Sequence, residues 1–204
     1  MGSTDKKHPD QERALHRRKQ ILEAAECCFS RSGFHGASMA EISKAAGMSA
    51  GHIYNYFDGK DAIIAAFVQA NVERVSAKIL GMAQRDDPLQ AAYDDIERSV
   101  REDIKPGIWK MPLEIFAEAS RNPMVAELVQ EADRHTRAEF RKLLRAGREK
   151  RGMASDDATL DGRIEIMVAF FQGLHVRSVH NPSMNMDSTV AAMRLALWPL
   201  LFNE

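Results

Sequence analysis

Apolar side chains recur every three or four residues along most of this 204-residue chain, the spacing that places them on one face of an α-helix. The pattern predicts a single long helix over residues 60–83. Its apolar stripe consists of Ile63, Ile64, Phe67, Val68, Val72, Val75, Ile79 and Leu80. No segment shows the convincing alternation of a half-buried strand, so the sequence predicts an all-α protein.

Prolines and capping residues indicate where the other helices begin and end. Asn122 followed by Pro123 reads as an N-cap before a proline at the first helical position. Asp156 can cap a later helix, and Asn181, which precedes a proline, can stop it. These signals predict helices from Pro88 to near Pro106, over LEIFAEAS at 113–120, from Pro123 to about Lys150, from Asp156 to Asn181, and from Thr189 to Phe202.

The segment from Ser38 to Asp61 predicts two short helices joined by a glycine turn. Ser38 is a favoured N-cap, and Glu41 can return its carboxylate to the Ser38 backbone, which makes the pair a capping box. Gly47 supplies the unhindered backbone that ends the first of these helices. The arrangement is that of a helix-turn-helix, which occurs in DNA-binding proteins and also in helical proteins that never contact DNA.

The second short helix has an outward face suited to DNA. Ser49 can cap this helix, and Ile53 and Phe57 can point inward, which leaves polar side chains outside. Ala50 and Gly51 would let the backbone approach a phosphate closely. Because phosphate contacts position a protein and base contacts specify a sequence, we assign phosphates to Tyr54, Tyr56 and Lys60, and base edges to His52 and Asn55.

Residues 17–64 resemble the DNA-binding domain of the TetR (tetracycline-repressor-like) family of bacterial transcription regulators. The matching features are the leading helix with Ile21, Ala24, Ala25 and Phe29, the turns Gly33-Phe34 and Ala45-Ala46-Gly47, and the string Tyr54-x-Tyr56-Phe57-x-x-Lys60. The resemblance implies about nine helices, with a helix-turn-helix domain at 11–60 and a ligand-binding and dimerisation domain at 61–204. The polar residues 1–10 are expected to be disordered. The predicted DNA contacts are Ser38, Met39, Ser49, Ala50, Gly51, His52, Tyr54, Asn55, Tyr56 and Lys60.

The resemblance also implies two tasks for the second domain: its last two helices pair with a second subunit, and its middle helices enclose a small-molecule pocket. The last two helices are apolar on more than one side, which independently favours a homodimer, although monomer core is the alternative. The candidate dimer contacts are Met167, Phe170, Phe171, Leu174, Met193, Leu197, Trp198 and Leu201. The candidate ligand contacts are Trp109, Met111, Glu114, Phe116, Phe140, Phe171, Gln172 and His175, each of which could instead be ordinary core or surface.

Composition limits the remaining classes of function. The formal net charge is −1, so a field that attracts DNA must be local, and Arg13, Arg17, Arg18 and Lys19 supply one near the first helix. No apolar run approaches the ~20 residues that span a bilayer, so a cytoplasmic protein without a membrane partner is expected. Neither a catalytic motif nor a metal-ligand spacing is recognisable, and no enzyme activity, cofactor or metal is predicted.

The sequence therefore predicts a ligand-responsive regulator that binds operator DNA as a homodimer. In the usual mode of the family it would be a repressor released from a palindromic operator by a small organic effector. The alternative is an all-helical carrier or scaffold that uses its helix-turn-helix for protein contacts. No readable motif identifies the effector, the operator or the direction of regulation.

Overall fold

The computed structural model describes residues 7–103, 110–153 and 156–203, and within these ranges it contains nine α-helices and no strand. The all-α prediction and the expected helix number are confirmed. None of the described helices is both long and apolar enough to cross a membrane. The helices are α1 (Lys7–Gly36), α2 (Met39–Ala45), α3 (Ala50–Tyr54), α4 (Lys60–Ala83), α5 (Pro88–Asp103), α6 (Lys110–Ala119), α7 (Pro123–Lys150), α8 (Asp157–His180) and α9 (Met186–Phe202).

Capping side chains account for several helix ends. α4 spans residues 60–83 and α7 begins at Pro123, both as predicted. The Asn122 side chain accepts hydrogen bonds from backbone N–H groups in the first turn of α7. α9 begins three residues earlier than predicted. The side-chain oxygen of Asn185 accepts the Ser188 backbone N–H at 2.9 Å, and this cap fixes the earlier start.

The first helix differs from the prediction. It begins at Lys7, so residues 7–10, the described part of the expected disordered tail, are helical. Near the other end, Gly33 has φ 71°, in the left-handed region that glycine tolerates. This residue breaks the helical path inside α1, and the break coincides with the Gly33-Phe34 turn that the sequence indicated.

Buried apolar side chains form two separate clusters. The first cluster contains residues of all four N-terminal helices, α1, α2, α3 and α4. It also includes Met111 from α6 and Val125 from α7. The second cluster lies among α4, α5, α7, α8 and α9. α4 contributes Ile63 and Ile64 to the first cluster and Ile79 to the second. Since burying each of these side chains is worth about 1.5–3 kcal/mol, α4 is firmly attached at both ends and connects the two domains.

The helices α5, α7 and α9 meet around Gly147. A Cβ added to Gly147 would lie 2.7 Å from Cγ of Leu89, closer than carbon atoms pack, so glycine permits this approach of α5 and α7. The next residue, Arg148, is 2% exposed. Its Nη1 donates to the backbone carbonyls of Leu201, at 3.2 Å, and Asn203, at 2.9 Å. These hydrogen bonds attach the C-terminal end of α9 to α7.

Candidate nucleic-acid interface

Local hydrogen bonds hold the turn between α2 and α3. Glu41 Oε2 accepts the Ser38 N–H at 2.8 Å, and Ser38 Oγ accepts the Glu41 N–H at 3.1 Å, so the predicted capping box is confirmed. The hydrogen bond from the Ser38 backbone is the main cause of a lowered pKa at Glu41. Gly47 takes φ 64° in the turn, and Ser49 Oγ accepts the His52 N–H at 3.2 Å. The direction in which α3 leaves the turn is therefore set locally.

Two side chains of α1 secure the ends of both short helices. Gln20 Nε2 donates to the Ala46 carbonyl at 2.7 Å, just beyond α2. Arg18 Nη1 donates to the Tyr56 carbonyl at 2.9 Å, just beyond α3, and its guanidinium lies 4.3 Å above the Phe57 ring. Carbonyls at helix ends lack partners within the helix. α1 supplies those partners and so makes α2 and α3 a rigid unit.

Lys60 has an internal role that the sequence did not predict. Its Nζ donates to the carbonyls of Phe34, at 2.7 Å, and Ala37, at 2.9 Å, and lies 4.6 Å from the centre of the Phe34 ring. An ammonium group has three N–H donors, and two of them join the start of α4 to the connection between α1 and α2. The phosphate contact assigned to Lys60 from the sequence is therefore at most a secondary use of this side chain.

The predicted base-reading residues share one exposed surface. Ala50, Gly51, His52 and Asn55 are exposed, and Tyr54 is 51% exposed. Below this surface Ile53 attaches the helix to the first cluster, and Phe57, just beyond the helix, is buried in the same cluster. We call the exposed residues Ala50, Gly51, His52, Tyr54 and Asn55 the α3 surface.

Four other predicted DNA contacts have partners inside the protein. Tyr56 is half-buried against the first cluster, and its ring lies edge-on to that of His52 at 5.4 Å. Met39 is also half-buried against the first cluster. The hydroxyls of Ser38 and Ser49 accept the capping hydrogen bonds. These residues support the α3 surface, and any contact they make with DNA would be in addition to that role.

Helix α6 contacts the end of α1 through two carboxylates. The Phe34 N–H donates to Glu114 Oε2 at 3.0 Å, beside Gly33, whose added Cβ would lie 3.5 Å from the same oxygen. One turn later, Glu118 is 2% exposed and has Oε2 2.9 Å from Nε2 of His35. We call the contacts of Glu114 and Glu118 with Phe34 and His35 the α6 latch. The sequence assigned Glu114 to the ligand pocket, whereas the structure commits its carboxylate to this contact between domains.

The Glu118 carboxylate is charged and well satisfied. Arg121 Nε donates to it at 3.0 Å, and Asn122 Nδ2 donates at 3.1 Å. Burial is the largest single influence and raises the pKa of Glu118, but the hydrogen bonds from Asn122 and Arg121 together with the charges of His35 and Arg121 outweigh it, and the net pKa lies below the ordinary 4.5. A lowered folded pKa stabilises the fold above pH 4.5, and this contribution is lost as the pH falls through the folded value. Glu118 is therefore charged at neutral pH.

A double-mutant cycle should detect the latch. We expect His35→Gln and Glu118→Gln to couple by about 0.5–3 kcal/mol in the free energy of unfolding, because the two residues touch across domains and one is buried. The matched control is the less buried pair His135 and Glu139, 3.5 Å apart within α7, whose coupling should be about 0.3–0.5 kcal/mol. Urea unfolding of the wild type, the two single variants and the double variant of each cycle measures both coupling energies. Equal coupling in the two cycles would contradict the latch.

Two protein-family models match the chain. Residues 21–67 match the model for bacterial regulatory proteins of the tetR family, and residues 97–197 match the C-terminal model for BetI-type transcriptional repressors. The first match covers the α2–α3 unit and the second covers most of the helices around the second cluster. The chain belongs to the TetR family.

Named relatives are also regulators. UidR of Escherichia coli K12 is 34% identical over 113 residues, which are 55% of this chain and 57% of UidR, so the chain spans little more than half of that relative. CymR of Pseudomonas putida is 25% identical over 178 residues, 85% of each protein. The solved structure of Salmonella enterica GusR is 28% identical, with a TM-score of 0.76 over 92% of this chain and 96% of GusR. The TetR fold therefore extends over nearly the whole molecule.

The structure disperses the predicted ligand contacts in and around α6. Trp109 lies outside the described residues. Met111 is buried in the first cluster, away from the second domain's own core. Phe116 is exposed, and Glu114 belongs to the α6 latch. Met111 and Glu114 thus contact the first domain.

The remaining ligand candidates lie on α7 and α8. Phe140 and Phe171 are half-buried at the edge of the second cluster, and Gln172 is exposed. His175 is half-buried, and its Nδ1 has no hydrogen-bond partner among the described residues. Of the eight predicted ligand contacts, His175 thus has a buried polar atom that a bound molecule could satisfy.

Sequence reasoning missed a cleft between α4 and α7. The cleft has a volume of about 290 Å³ and is open to solvent on one side. On each helix its residues follow the spacing i, i+3, i+4, i+7, so paired stripes on the two helices could have indicated it. The lining residues are Ala65, Val68, Gln69 and Val72 of α4 with Leu128, Glu131, Ala132 and His135 of α7.

Five of the predicted dimer contacts are covered within the monomer. These are Met167, Leu174, Met193, Leu197 and Leu201, all part of the second cluster. Phe171 is half-buried beside them. Because α8 and α9 are apolar on several sides, the sequence could not separate the side that packs inward from the side that remains outside. The sequence assigned these five residues to the dimer, whereas the structure packs them inside the monomer.

Other apolar residues of α8 and α9 are exposed. Ile166 and Phe170 are exposed on α8, as are Leu195 and Trp198 on α9, with Leu195 77% exposed. We call these four residues the α8–α9 face. Exposed alanines at 191, 192 and 196 accompany it on α9. Small residues beside large apolar ones suit close packing against another helix.

Proposed function

We propose that this TetR-family chain is a DNA-binding transcriptional regulator that reads sequence through the α3 surface. The observation that carries the proposal is the exposure of His52 and Asn55 on a short helix whose two ends are fixed by Ser49 and Arg18. A side-chain amide can pair with both N6 and N7 of adenine in the major groove. Such pairing requires a helix in a fixed position, and the contacts from α1 hold α3 in place.

The same proposal makes the regulator a homodimer that recognises a palindrome. The exposed α8–α9 face supports pairing, since it presents four large apolar side chains to solvent that a second subunit could cover. Two-fold symmetry of the protein would be matched by half-sites about 34–36 Å apart or at a related spacing. Each α3 surface would then enter one major groove on the same side of the duplex.

A small organic effector bound in the second domain would release the DNA, which makes the regulator a repressor. Two observations support this step. The cleft of about 290 Å³ lies against α4, the helix that begins six residues after α3 ends. The α6 latch joins the second domain to the end of α1. A ligand that shifts α4 or α6 would therefore change the position of the α3 surface.

Selection from a random pool of duplex DNA tests the proposal. We expect wild-type protein to recover one palindromic sequence, and Asn55→Ala to cost about 1–3 kcal/mol on that sequence with little change on random duplex. Asn71→Ala, an exposed asparagine on α4, is the matched control and should bind as wild type. Lys60→Ala should weaken all sequences alike and lower stability, because its internal hydrogen bonds are lost. Fluorescence anisotropy and urea unfolding measure the two effects.

Failure of the selection would favour the carrier or scaffold reading. If wild-type protein enriches no sequence and does not bind duplex DNA at low salt, the α3 surface has another partner. Normal enrichment with an unaffected Asn55→Ala variant would retain the regulator and exclude Asn55 as a base contact.

A further inference from the structure

The first helix continues well beyond the domain that it helps to build. α1 begins at Lys7, whereas its first fully buried residue is Ile21, the residue at which the family match also begins. At 1.5 Å per residue this overhang is about 21 Å long. Among residues 11–19 only Ala14 is half-buried, and the others are exposed. We call residues 7–19 the N-terminal arm.

The arm concentrates positive charge in a protein of net charge −1. Residues 7–19 contain five cations, Lys7, Arg13, Arg17, Arg18 and Lys19, against two carboxylates, Asp10 and Glu12. Arg17 donates to the neutral side-chain oxygen of Gln20 at 2.9 Å, so that hydrogen bond leaves its charge in place. Lys19 pairs with Glu23 at 3.8 Å, but both side chains are largely exposed, and such a pair is weak.

The contacts of α1 place the last residues of the arm beside the C-terminal ends of α2 and α3. Arg18 reaches the Tyr56 carbonyl at the end of α3, and Gln20 reaches the Ala46 carbonyl at the end of α2. Residues spaced by three and four share a helix face, so Arg13 and Arg17 continue the side of α1 on which Gln20 contacts α2. The cations therefore extend outward from the helix-turn-helix itself.

The apolar pattern of the arm does not suit a helical protein partner. Between residues 11 and 19 the apolar residues are Ala14 and Leu15, which are adjacent and do not form a stripe. Leu15 is 63% exposed. A second copy of the chain or another helix would require apolar residues at every third or fourth position. The charge of the arm instead complements a polyanion.

We propose that the N-terminal arm binds the phosphate backbone of duplex DNA outside the sequence read by the α3 surface. This inference rests on the proposed DNA-binding function and adds a second, sequence-independent contact to it. An arm of about 21 Å spans roughly six base pairs at 3.4 Å each. Arg13 and Arg17 hold phosphates on the flank of each half-site, so the protein occupies a longer stretch of DNA than its helix-turn-helix alone.

The test compares the full-length wild type with Arg13→Gln/Arg17→Gln on two duplexes. The long duplex carries the selected sequence with flanks longer than the reach of the arm, and the short duplex is trimmed to the selected sequence. On the long duplex, loss of two phosphate contacts should reduce the slope of log K against log salt by about 1.8 units for each bound subunit. On the short duplex the two proteins should have equal slopes. Arg85→Gln/Lys142→Gln removes two exposed cations elsewhere and is the matched control.

The outcomes distinguish a failure of the proposed arm contact from a failure of the proposed DNA-binding function. Equal slopes of wild type and arm variant on the long duplex, with equal melting temperatures, would overturn the arm contact while the regulator remains. An equal loss of slope on both duplexes would also overturn it, because the contact would then lie within the sequence read by α3. Failure of the wild type to bind either duplex would instead refute the proposed function.

Discussion

Phe170→Glu is expected to convert the dimer to monomer and to weaken binding to a two-half-site operator by about 10²–10⁴-fold, because two linked contacts are replaced by one. Phe170 is 39% exposed on α8. Gly162 and Gly173 lie on the same helix, and a Cβ added to either would meet no atom within 4 Å. A second subunit would cover this ring, and burying an unpaired carboxylate there is strongly unfavourable.

Gln172→Glu is the matched control, since it adds the same charge at an exposed polar position of the same helix. It should remain a dimer with operator affinity close to that of the wild type. Sedimentation velocity gives the oligomeric state, anisotropy gives the affinity, and urea unfolding verifies that Phe170→Glu is folded. A folded Phe170→Glu dimer with wild-type affinity would contradict the assignment of the α8–α9 face.

The contrast with Leu197 shows what the sequence could not reveal about this interface. Leu197 and Phe170 are both large apolar residues in helices that are apolar on several sides, and the sequence assigned both to the dimer. In the structure Leu197 is fully buried, so a charge there would unfold the monomer instead of separating two subunits. Helical periodicity identifies a face only when the opposite face is polar. α8 and α9 lack that contrast. Which of their sides packs inward is determined by contacts with α5 and α7.

Local signals were sufficient for most helix ends. The capping box of Ser38 and Glu41, the proline at 123 and the connector over 60–83 depend on neighbours within a few residues, and all three are found as predicted. The start of α9 was missed although Asn185 carries the same kind of signal. An asparagine is also common in loops, and the sequence does not show which of the two roles it takes.

The α6 latch was beyond the reach of sequence periodicity. Glu114 bonds the backbone of Phe34, 80 residues away, and Glu118 contacts His35 at a comparable separation. Inward carboxylates on a short helix indicated ligand contacts, because the sequence contains no sign that α6 lies against α1. The same reason applies to Lys60, whose partners are carbonyl groups that any residue could provide.

Connections between the domains are therefore of two kinds. α4 is continuous from the first cluster to the second and moves as one body unless it bends. The α6 latch is a set of polar contacts to the end of α1, and it lies beside apolar contacts of the same helix, since Met111 of α6 belongs to the first cluster. A signal from the second domain can accordingly reach the α3 surface either as a tilt of α4 or as a release of α6. The cycle on His35 and Glu118 measures how strongly the second of these connections is held.

A second large effect is expected from Arg148→Ala, which should lower the free energy of unfolding by about 3–5 kcal/mol. The last carbonyls of a helix have no partners within it and lie at the negative end of the helix dipole. Arg148, 2% exposed, satisfies the carbonyls of Leu201 and Asn203 at the end of α9. Alanine would remove the donor to the buried Leu201 carbonyl and leave a cavity in place of a large side chain, and both terms are unfavourable, whereas the Asn203 carbonyl keeps its hydrogen bond from Arg163.

Arg163→Ala is the matched control because Arg163 serves the same helix end from a more exposed position. Its Nη1 donates to the carbonyls of Pro199, Leu200 and Asn203 at 3.2, 3.1 and 2.7 Å. Water can replace these hydrogen bonds when the side chain is removed, so the expected loss is about 1 kcal/mol. Urea unfolding followed by circular dichroism measures both variants. Equal losses would mean that the hydrogen bonds, and not the burial of Arg148, determine how firmly α9 is held.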